Sequence, residues 1–143
     1  MSFHPESEYR LIFLRGDGVR AWAETLSSDP EFQCNSRRAD FGVRLRADQE
    51  VRCFRIVAGE LRSVQAQEDD AREPQIELAG TISAWSKFLQ PTPPRFHNDV
   101  LGMQRRTDEF SVLADQAVLT RNLHVLHRLF EVARMTEVKH ARA

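Results

Sequence analysis

The segment 96–99 combines two side-chain types that often move protons in enzymes. Histidine is the side chain that enzymes use most often as a general base, and the carboxylate of Asp99 can assist His97 in that role. These two are therefore the candidate catalytic residues of the chain. The segment also has a purely structural interpretation, because Asn98 or Asp99 can cap a helix while His97 stays in solvent. Capping is the more common use of such residues, so the pattern favours it over catalysis.

Other kinds of chemistry lack a recognisable pattern. Ser83, Ser86 and Ser111 stand outside any nucleophile elbow, and the sequence has no glycine-rich phosphate loop. Cys34 and Cys53 are too far apart for a redox CxxC pair and have no second ligand pair for zinc. The sequence therefore predicts no metal and no cofactor, and any catalysis would use acid–base chemistry.

The charge balance argues against a nucleic-acid-binding module. Twenty basic and 21 acidic residues leave a formal net charge of -1. Nucleic-acid modules normally carry a net positive charge that releases counterions from phosphates. The adjacent arginines at 37–38 and 105–106 are interpreted as solvated surface residues.

Hydropathy argues against a membrane-spanning chain, and we expect a cytoplasmic protein. The mean hydropathy is -0.48, and the longest apolar run, 11–14, is far shorter than the ~20 residues of a spanning helix. Residues 1–10 lack the apolar stretch of a signal peptide. A length of 143 residues suits a single domain over 1–143. Its core is expected at about 19–135, with a flexible tail at 136–143.

Hydrophobic periodicity predicts a helix followed by strands in the first half of the chain. Apolar residues recur at three- and four-residue spacing from Val19 to Leu26, after the candidate N-cap Asp17. The segment before Gly16 fits either a helix or a strand. Period-two alternation predicts strands at 41–46, 51–57, 61–64 and 76–78, with a charged surface loop at 65–74. Short turns make the first three strands an antiparallel meander.

The second half predicts helices separated by one strand. These are a helix around 85–89 that ends before the prolines at 91–94, a short helix at 98–104, a strand at 110–113 and a helix at 116–135. Asp115 is the expected cap of the last helix, whose apolar arc is unusually broad. Asn122 falls inside that arc and His127 on its border. We expect an α+β fold with one antiparallel sheet of about five strands and helices on one face.

The order of these elements resembles that of the sterol carrier protein-2 family. The segment 56–61 resembles the family's hairpin, in which a glycine joins two central strands. The segment 76–85 is similar to its strand that runs straight into a helix with an early tryptophan, here Trp85. The segment 110–115 is similar to the strand before the last helix, with Ala114 where the family usually has glycine. The resemblance covers roughly 19–135, although the connection around 95–99 is longer and more polar than usual.

The resemblance implies an apolar tunnel between the sheet and its helices. Members of the family bind sterols, fatty acyl chains or other apolar molecules, and the domain also occurs fused to or beside enzymes that process them. The candidate lining residues are Trp85, Phe88, Leu89, Phe96, Met103, Phe110, Val112, Asn122, Leu123, Leu126, His127 and Phe130. Each apolar member also has the simpler interpretation of a core residue. Asn122 and His127 would orient a ligand, although a buried amide more often bonds a backbone carbonyl.

The expected function is therefore binding or carriage of a hydrophobic small molecule. The main alternative is a cofactor-free lyase, hydratase or isomerase that uses His97 and Asp99 for proton transfer. A third hypothesis is a homodimer, or a non-catalytic subunit associated with a lipid-processing enzyme. Such a protein would bury the surplus apolar face of the last helix in an interface.

Overall fold

A computed structural model of the protein describes residues 11–64 and 74–142, with side chains as far as Glu137. The charged loop predicted at 65–74 lies outside these ranges except for Pro74, and so does the segment 1–10. The described residues form a short 3₁₀ turn, six α-helices and five strands. Among them, no helix is both long and apolar enough to cross a membrane.

The five strands form one sheet, and each lies where the sequence predicts it. They are β1 (Asp40–Ala47), β2 (Glu50–Val57), β3 (Glu60–Val64), β4 (Ile76–Gly80) and β5 (Phe110–Ala114). Their order across the sheet is β3-β2-β1-β4-β5. The turn between β2 and β3 has positive φ at both central residues, 48° at Ala58 and 86° at Gly59. This is the geometry of a tight hairpin, which explains the glycine at the second position.

The prediction of an antiparallel sheet is wrong at one pair of strands. β1 and β4 run parallel, with Val43 opposite Ile76 and Leu45 opposite Leu78. Tight turns force β1, β2 and β3 into antiparallel hairpins, but β4 is separated from β3 by a longer connection and joins the far side of β1. Alternation along a strand reports its two faces and not its direction, so the sequence pattern is the same for both arrangements.

The two faces of the sheet differ in chemistry. Phe41, Val43 and Leu45 of β1 alternate onto the buried face. The opposite face carries ion pairs, including Arg44 Nη1 to Glu77 Oε1 at 3.1 Å. Because all the buried apolar side chains of the strands share one face, the hydrophobic core lies on that side of the sheet.

The segment before Gly16, for which the sequence left helix and strand open, is a buried 3₁₀ turn at Ile12–Leu14. The α-helices are α1 (Gly16–Ser27), α2 (Pro30–Ser36), α3 (Ile82–Phe88), α4 (Val100–Arg106), α5 (Gln116–Arg121) and α6 (Leu123–Arg142). α1 begins earlier than predicted, with Arg15 at the N-cap and Asp17 inside the first turn. α2 was not predicted. Its cap is Asp29, whose side chain accepts a hydrogen bond from the Phe32 N–H at 2.8 Å, and Pro30 occupies the first turn.

The long helix predicted at 116–135 is two helices that meet at Asn122. Asp115 caps α5 as expected and accepts hydrogen bonds from the N–H groups of Ala117 and Val118. Asn122 leaves the helical region with φ -113° and ψ 16°. Its Nδ2 donates to the Val118 carbonyl oxygen at 2.9 Å, so the side chain competes with the backbone ladder. α6 continues to Arg142, beyond the predicted end at 135.

Polar contacts hold α6 against the N-terminal helices. Arg128 forms a two-pronged pair with Asp29, through Nη2 to Oδ1 at 2.7 Å and Nε to Oδ2 at 2.9 Å. The Trp22 indole N–H donates to the Leu129 carbonyl oxygen at 3.0 Å. Arg15 also reaches Glu137 at 2.9 Å. These contacts position α6 over the buried face together with α1 and α2.

Candidate functional site

An aromatic cluster occupies the centre of the core. Trp85 is fully buried, and its indole N–H donates to the Arg46 carbonyl oxygen at 2.8 Å. Its ring lies 4.9–5.8 Å, between centroids, from those of Phe13, Phe88, Phe110 and Phe130. The structure thus brings together four residues that were predicted to line a tunnel. They contact one another edge to face or tilted, as in a packed core.

The other predicted lining residues lie in different environments. Three are buried in the core, namely Leu89, Met103 and Leu126. Two are partly buried beside it, namely Val112 and Leu123. Asn122 is buried, and a backbone carbonyl is its partner. His127 and Phe96 are exposed.

A small cleft opens at the edge of the aromatic cluster. Its apolar wall contains Phe88, Leu126 and Phe130, and His127 and Arg134 stand at its polar rim. Four of the predicted lining residues therefore meet here, together with Asp99, the candidate catalytic carboxylate. The cleft has a volume of only about 150 Å³, below the roughly 300–1,000 Å³ of typical small-molecule sites.

Arg134 ties the rim of this cleft to the connection between α3 and α4. Its Nε donates to the Phe88 carbonyl oxygen at 2.8 Å, and its Nη2 to that of Asn98 at 3.2 Å. The guanidinium also lies 4.6 Å from the centre of the Phe88 ring. Burial lowers the pKa of Arg134 from its usual value, because desolvation penalises the charged form. The guanidinium of Arg134 at the rim of the cleft is therefore already hydrogen-bonded to backbone carbonyls of the protein.

His97 and Asp99 have separate partners. The Asp99 carboxylate accepts a hydrogen bond from the Gly102 N–H at 2.7 Å and caps α4, as the structural interpretation expected. His97 is buried rather than solvated, and its Nδ1 lies 3.2 Å from the Arg95 carbonyl oxygen. Its Nε2 has no hydrogen-bond partner among the described residues. Proton transfer by this pair stays a prediction.

A larger concavity is a groove of about 490 Å³ between the N-terminal segment and the β2–β3 hairpin. We call it the N-terminal groove. Its lining residues are Phe13, Leu14, Arg15, Gly16, Val19, Val51, Arg52, Cys53, Phe54, Ser63 and Val64. On β2 and β3, Phe54 and Ser63 are direct cross-strand neighbours. They therefore project on the core side of the sheet.

The N-terminal groove is continuous with the aromatic core. Phe13 lines the groove and meets Trp85 edge to face at 4.9 Å. Phe54 lines it as well and meets Trp22 at 5.8 Å. The groove therefore has an aromatic floor, while arginine and serine side chains lie among its walls. Its volume falls within the range of small-molecule sites.

A third concavity, of about 430 Å³, surrounds Phe96. Phe96 is 38% exposed and has a φ of 73°, a left-handed conformation that costs a bulky residue about 1–3 kcal/mol. The guanidinium carbons of Arg95 and Arg106 lie 4.9 and 5.3 Å from the centre of its ring. Both distances are within cation–π range. We call these three residues the Phe96 surface.

Among the described residues, no three histidine, cysteine or acidic side chains cluster in a way that could hold a metal ion.

The sequence analysis did not predict the N-terminal groove. The signal was present in the apolar run at 11–14, from which Phe13 and Leu14 line the groove but which the sequence analysis gave no role in a site.

Comparison with known proteins gives matches in structure alone. No protein-family model matches the chain, and no curated protein does. The crystal structure of sterol carrier protein 2 matches with a TM-score of 0.58 at 12% identity, covering 81% of this chain and 92% of that one. The UbiJ-SCP2 ubiquinone synthesis protein matches with a TM-score of 0.56 at 14% identity, covering 82% and 93%.

A third solved structure is a conserved hypothetical protein from Thermus thermophilus, named as a candidate sterol carrier protein. It matches with a TM-score of 0.58 at 12% identity, covering 85% of this chain and 87% of that one. The chain is thus an α+β protein with one mixed sheet. More particularly, its fold is that of sterol carrier protein 2, as the order of elements indicated.

Proposed function

We propose that the protein binds a hydrophobic small molecule, such as a sterol, a fatty acyl chain or a polycyclic lipid, in the N-terminal groove. The observation that carries this proposal is the groove itself. It has an apolar floor formed by Phe13 and Phe54 and enough volume for a molecule of that class. Affinity would come from burial of apolar surface, at about 25 cal/mol per Å².

Two further observations support the proposal. The fold is that of structures named sterol carrier protein 2, which makes an apolar ligand the expected class by analogy. The aromatic residues predicted to line a tunnel lie directly behind the groove, through the contact of Phe13 with Trp85. They would stiffen its floor and give a spectroscopic signal, because Trp85 and Trp22 each touch a floor residue.

The test is a fluorescence titration with a fluorescent sterol and a fluorescent C18 fatty acid. Wild type should bind at least one of them saturably at about one equivalent. Ser63→Trp should weaken that binding at least tenfold, because the new ring projects beside Phe54 into the groove. Ser111→Trp is the matched control. It adds the same ring at an exposed position of β5 and should stay within about twofold of wild type.

Either of two results would overturn the proposal. One is the absence of saturable binding of both probes to folded wild type. The other is equal affinity of Ser63→Trp and wild type, which would move the ligand away from the groove. His97→Ala should leave probe affinity unchanged, because His97 does not line the groove.

A second candidate function is delivery of the bound molecule to an enzyme as a non-catalytic subunit. The match to a protein named for ubiquinone synthesis favours it, because ubiquinone is itself an apolar molecule. Copurification from the native host, followed by identification of a stoichiometric enzyme partner, tests this idea. A protein that elutes alone, with its cargo bound, would contradict it.

A further inference from the structure

One side chain attaches the connection between α3 and α4 to the long helix α6. Arg134 donates from Nε to the carbonyl oxygen of Phe88, the last residue of α3, and from Nη2 to that of Asn98, just before α4. Its guanidinium also lies 4.6 Å from the centre of the Phe88 ring. Arg134 therefore binds the connection at both of its ends.

The segment 90–98 between these ends makes few other hydrogen bonds among the described residues. The N–H of Gln90 donates to the Lys87 carbonyl oxygen at 3.3 Å, and that of His97 to the Pro94 carbonyl oxygen at 3.0 Å. Three prolines, at 91, 93 and 94, have no N–H to donate. Neither of the two bonds reaches α6, so the hydrogen bonds from this segment to α6 come from Arg134.

The segment is also held in an unfavourable geometry. Phe96 has a φ of 73°, which is strained for a bulky residue. The Nδ1 of His97 lies 3.2 Å from the Arg95 carbonyl oxygen, which can only accept, so Nδ1 carries the proton of the neutral ring. The Nε2 of His97 is buried without a hydrogen-bond partner among the described residues. Outward movement would relieve both costs, because water can bond Nε2.

There is open space on both sides of the segment. Asn98 lines the small cleft of about 150 Å³ and also the concavity of about 430 Å³ around Phe96. The segment is therefore the partition between these two spaces. On the cleft side stand the rings of Phe88 and Phe130, each with its centroid 5.8 Å from that of Trp85.

We infer that the segment 90–98 is a lid over the cleft and that Arg134 is its latch. When the guanidinium releases the two carbonyls, the lid moves toward the concavity around Phe96, and the cleft widens over Phe88 and Phe130. An apolar molecule then reaches the aromatic cluster through an entrance that shares no lining residue with the N-terminal groove. The lid opens in the ligand-free protein, so the inference does not depend on the groove.

The experiment is amide hydrogen exchange of the full chain without ligand, followed by NMR. In wild type the amide at position 97 should be less protected than the amides of β1, because the lid opens without global unfolding. Arg134→Met should lower the protection at position 97 at least tenfold, since two hydrogen bonds are lost. Arg134→Lys, which keeps the charge but not the planar fork, should lower it about threefold and carries the test if Arg134→Met does not fold.

The matched control is Arg128→Met, the same replacement of another arginine of α6. Arg128 is paired with Asp29 at the start of α2. Its loss should therefore lower the protection of the β1 amides but change that at position 97 less than twofold.

A variant in the lid should act in the opposite direction. His97→Leu removes the buried, unpartnered Nε2 from the closed state. It should therefore raise the protection at position 97 at least threefold. This increase would separate a strained lid from a loop that is merely loosely held.

A binding measurement tests the entrance itself. N-phenyl-1-naphthylamine, a neutral fluorescent probe, is titrated into variants that carry Ser63→Trp, so that the new ring occupies the N-terminal groove. Adding Arg134→Met should raise the probe affinity at least fivefold, because the widened cleft exposes Phe88 and Phe130. Adding Arg128→Met should change it less than twofold.

Four outcomes would overturn the inference. One is protection at position 97 in wild type that equals the protection of the β1 amides. Another is the same loss at position 97 in Arg134→Met and Arg128→Met. The others are lower protection in His97→Leu and a probe affinity that Arg134→Met leaves unchanged. A failure of the N-terminal groove to bind lipid probes would alter none of these results, so the two proposals fail separately.

Discussion

The aromatic cluster around Trp85 and the Phe96 surface use similar side chains for opposite purposes. In the cluster the rings contact one another, exclude water and adopt ordinary backbone conformations. Phe96 instead lies on the surface in a left-handed conformation between two arginines. The comparison teaches that burial decides how far an aromatic residue stabilises this fold.

Charged residues show the same division. Arg128 pairs with Asp29 and lies near Glu31 and Glu131, and it holds α6 against the start of α2. Arg106 contacts only a ring among the described residues. The paired arginine therefore holds two helices together, whereas Arg106 makes no ion pair within the described residues.

The largest effect on stability is expected from Trp85→Ala. It removes a fully buried ring with four aromatic neighbours and a hydrogen bond to the Arg46 carbonyl. The free energy of unfolding should fall by about 3–5 kcal/mol, as measured by urea denaturation. Trp85→Phe, which keeps one ring, should lose less. A loss below about 1 kcal/mol in Trp85→Ala would show that the cluster is not the stabilising centre.

A smaller effect is expected from Asp29→Ala. This change removes the cap of α2 and the two-pronged partner of Arg128, which together should cost about 2–3 kcal/mol in urea denaturation. Asp40→Ala is the control, because its pair with Arg55 is on the more exposed face and should cost less than about 1 kcal/mol.

The contribution of Asp29 should depend on pH. The hydrogen bond from Arg128 lowers the pKa of Asp29 below its usual 3.8, so the folded state favours the ionised form. The resulting stabilisation is present above the unfolded pKa and is lost as the pH falls through the folded one. The stability difference between wild type and Asp29→Asn should therefore narrow below about pH 4. A difference that grows on acidification would contradict the pairing.

The smallest effect on stability is expected from Phe96→Gly. Relief of the left-handed strain is offset by lost cation–π contacts and by the greater freedom of glycine when unfolded. The free energy of unfolding should stay within about 1 kcal/mol of wild type. A loss as large as that of Trp85→Ala would place Phe96 in the core and end the contrast between the two regions.

Local patterns predicted most of the elements because they depend on neighbouring residues. Alternation at 41–46 and 51–57 predicted β1 and β2. Asp115 was predicted as a helix cap, and it caps α5. α2 was missed because its seven residues are too few to show a helical repeat of apolar residues. The break at Asn122 was missed because apolar spacing continues across it.

The sequence by itself determined the α+β class, the position of every strand and the polar or apolar character of each face. These features follow from periodicity and capping, which act over a few residues. Only the tertiary structure decided the parallel pairing of β1 with β4, the meeting of Phe13 with Trp85, and the groove formed by the N-terminal segment against β3. Such features join residues far apart in the chain, and their geometry is set by packing against surfaces that no local pattern encodes.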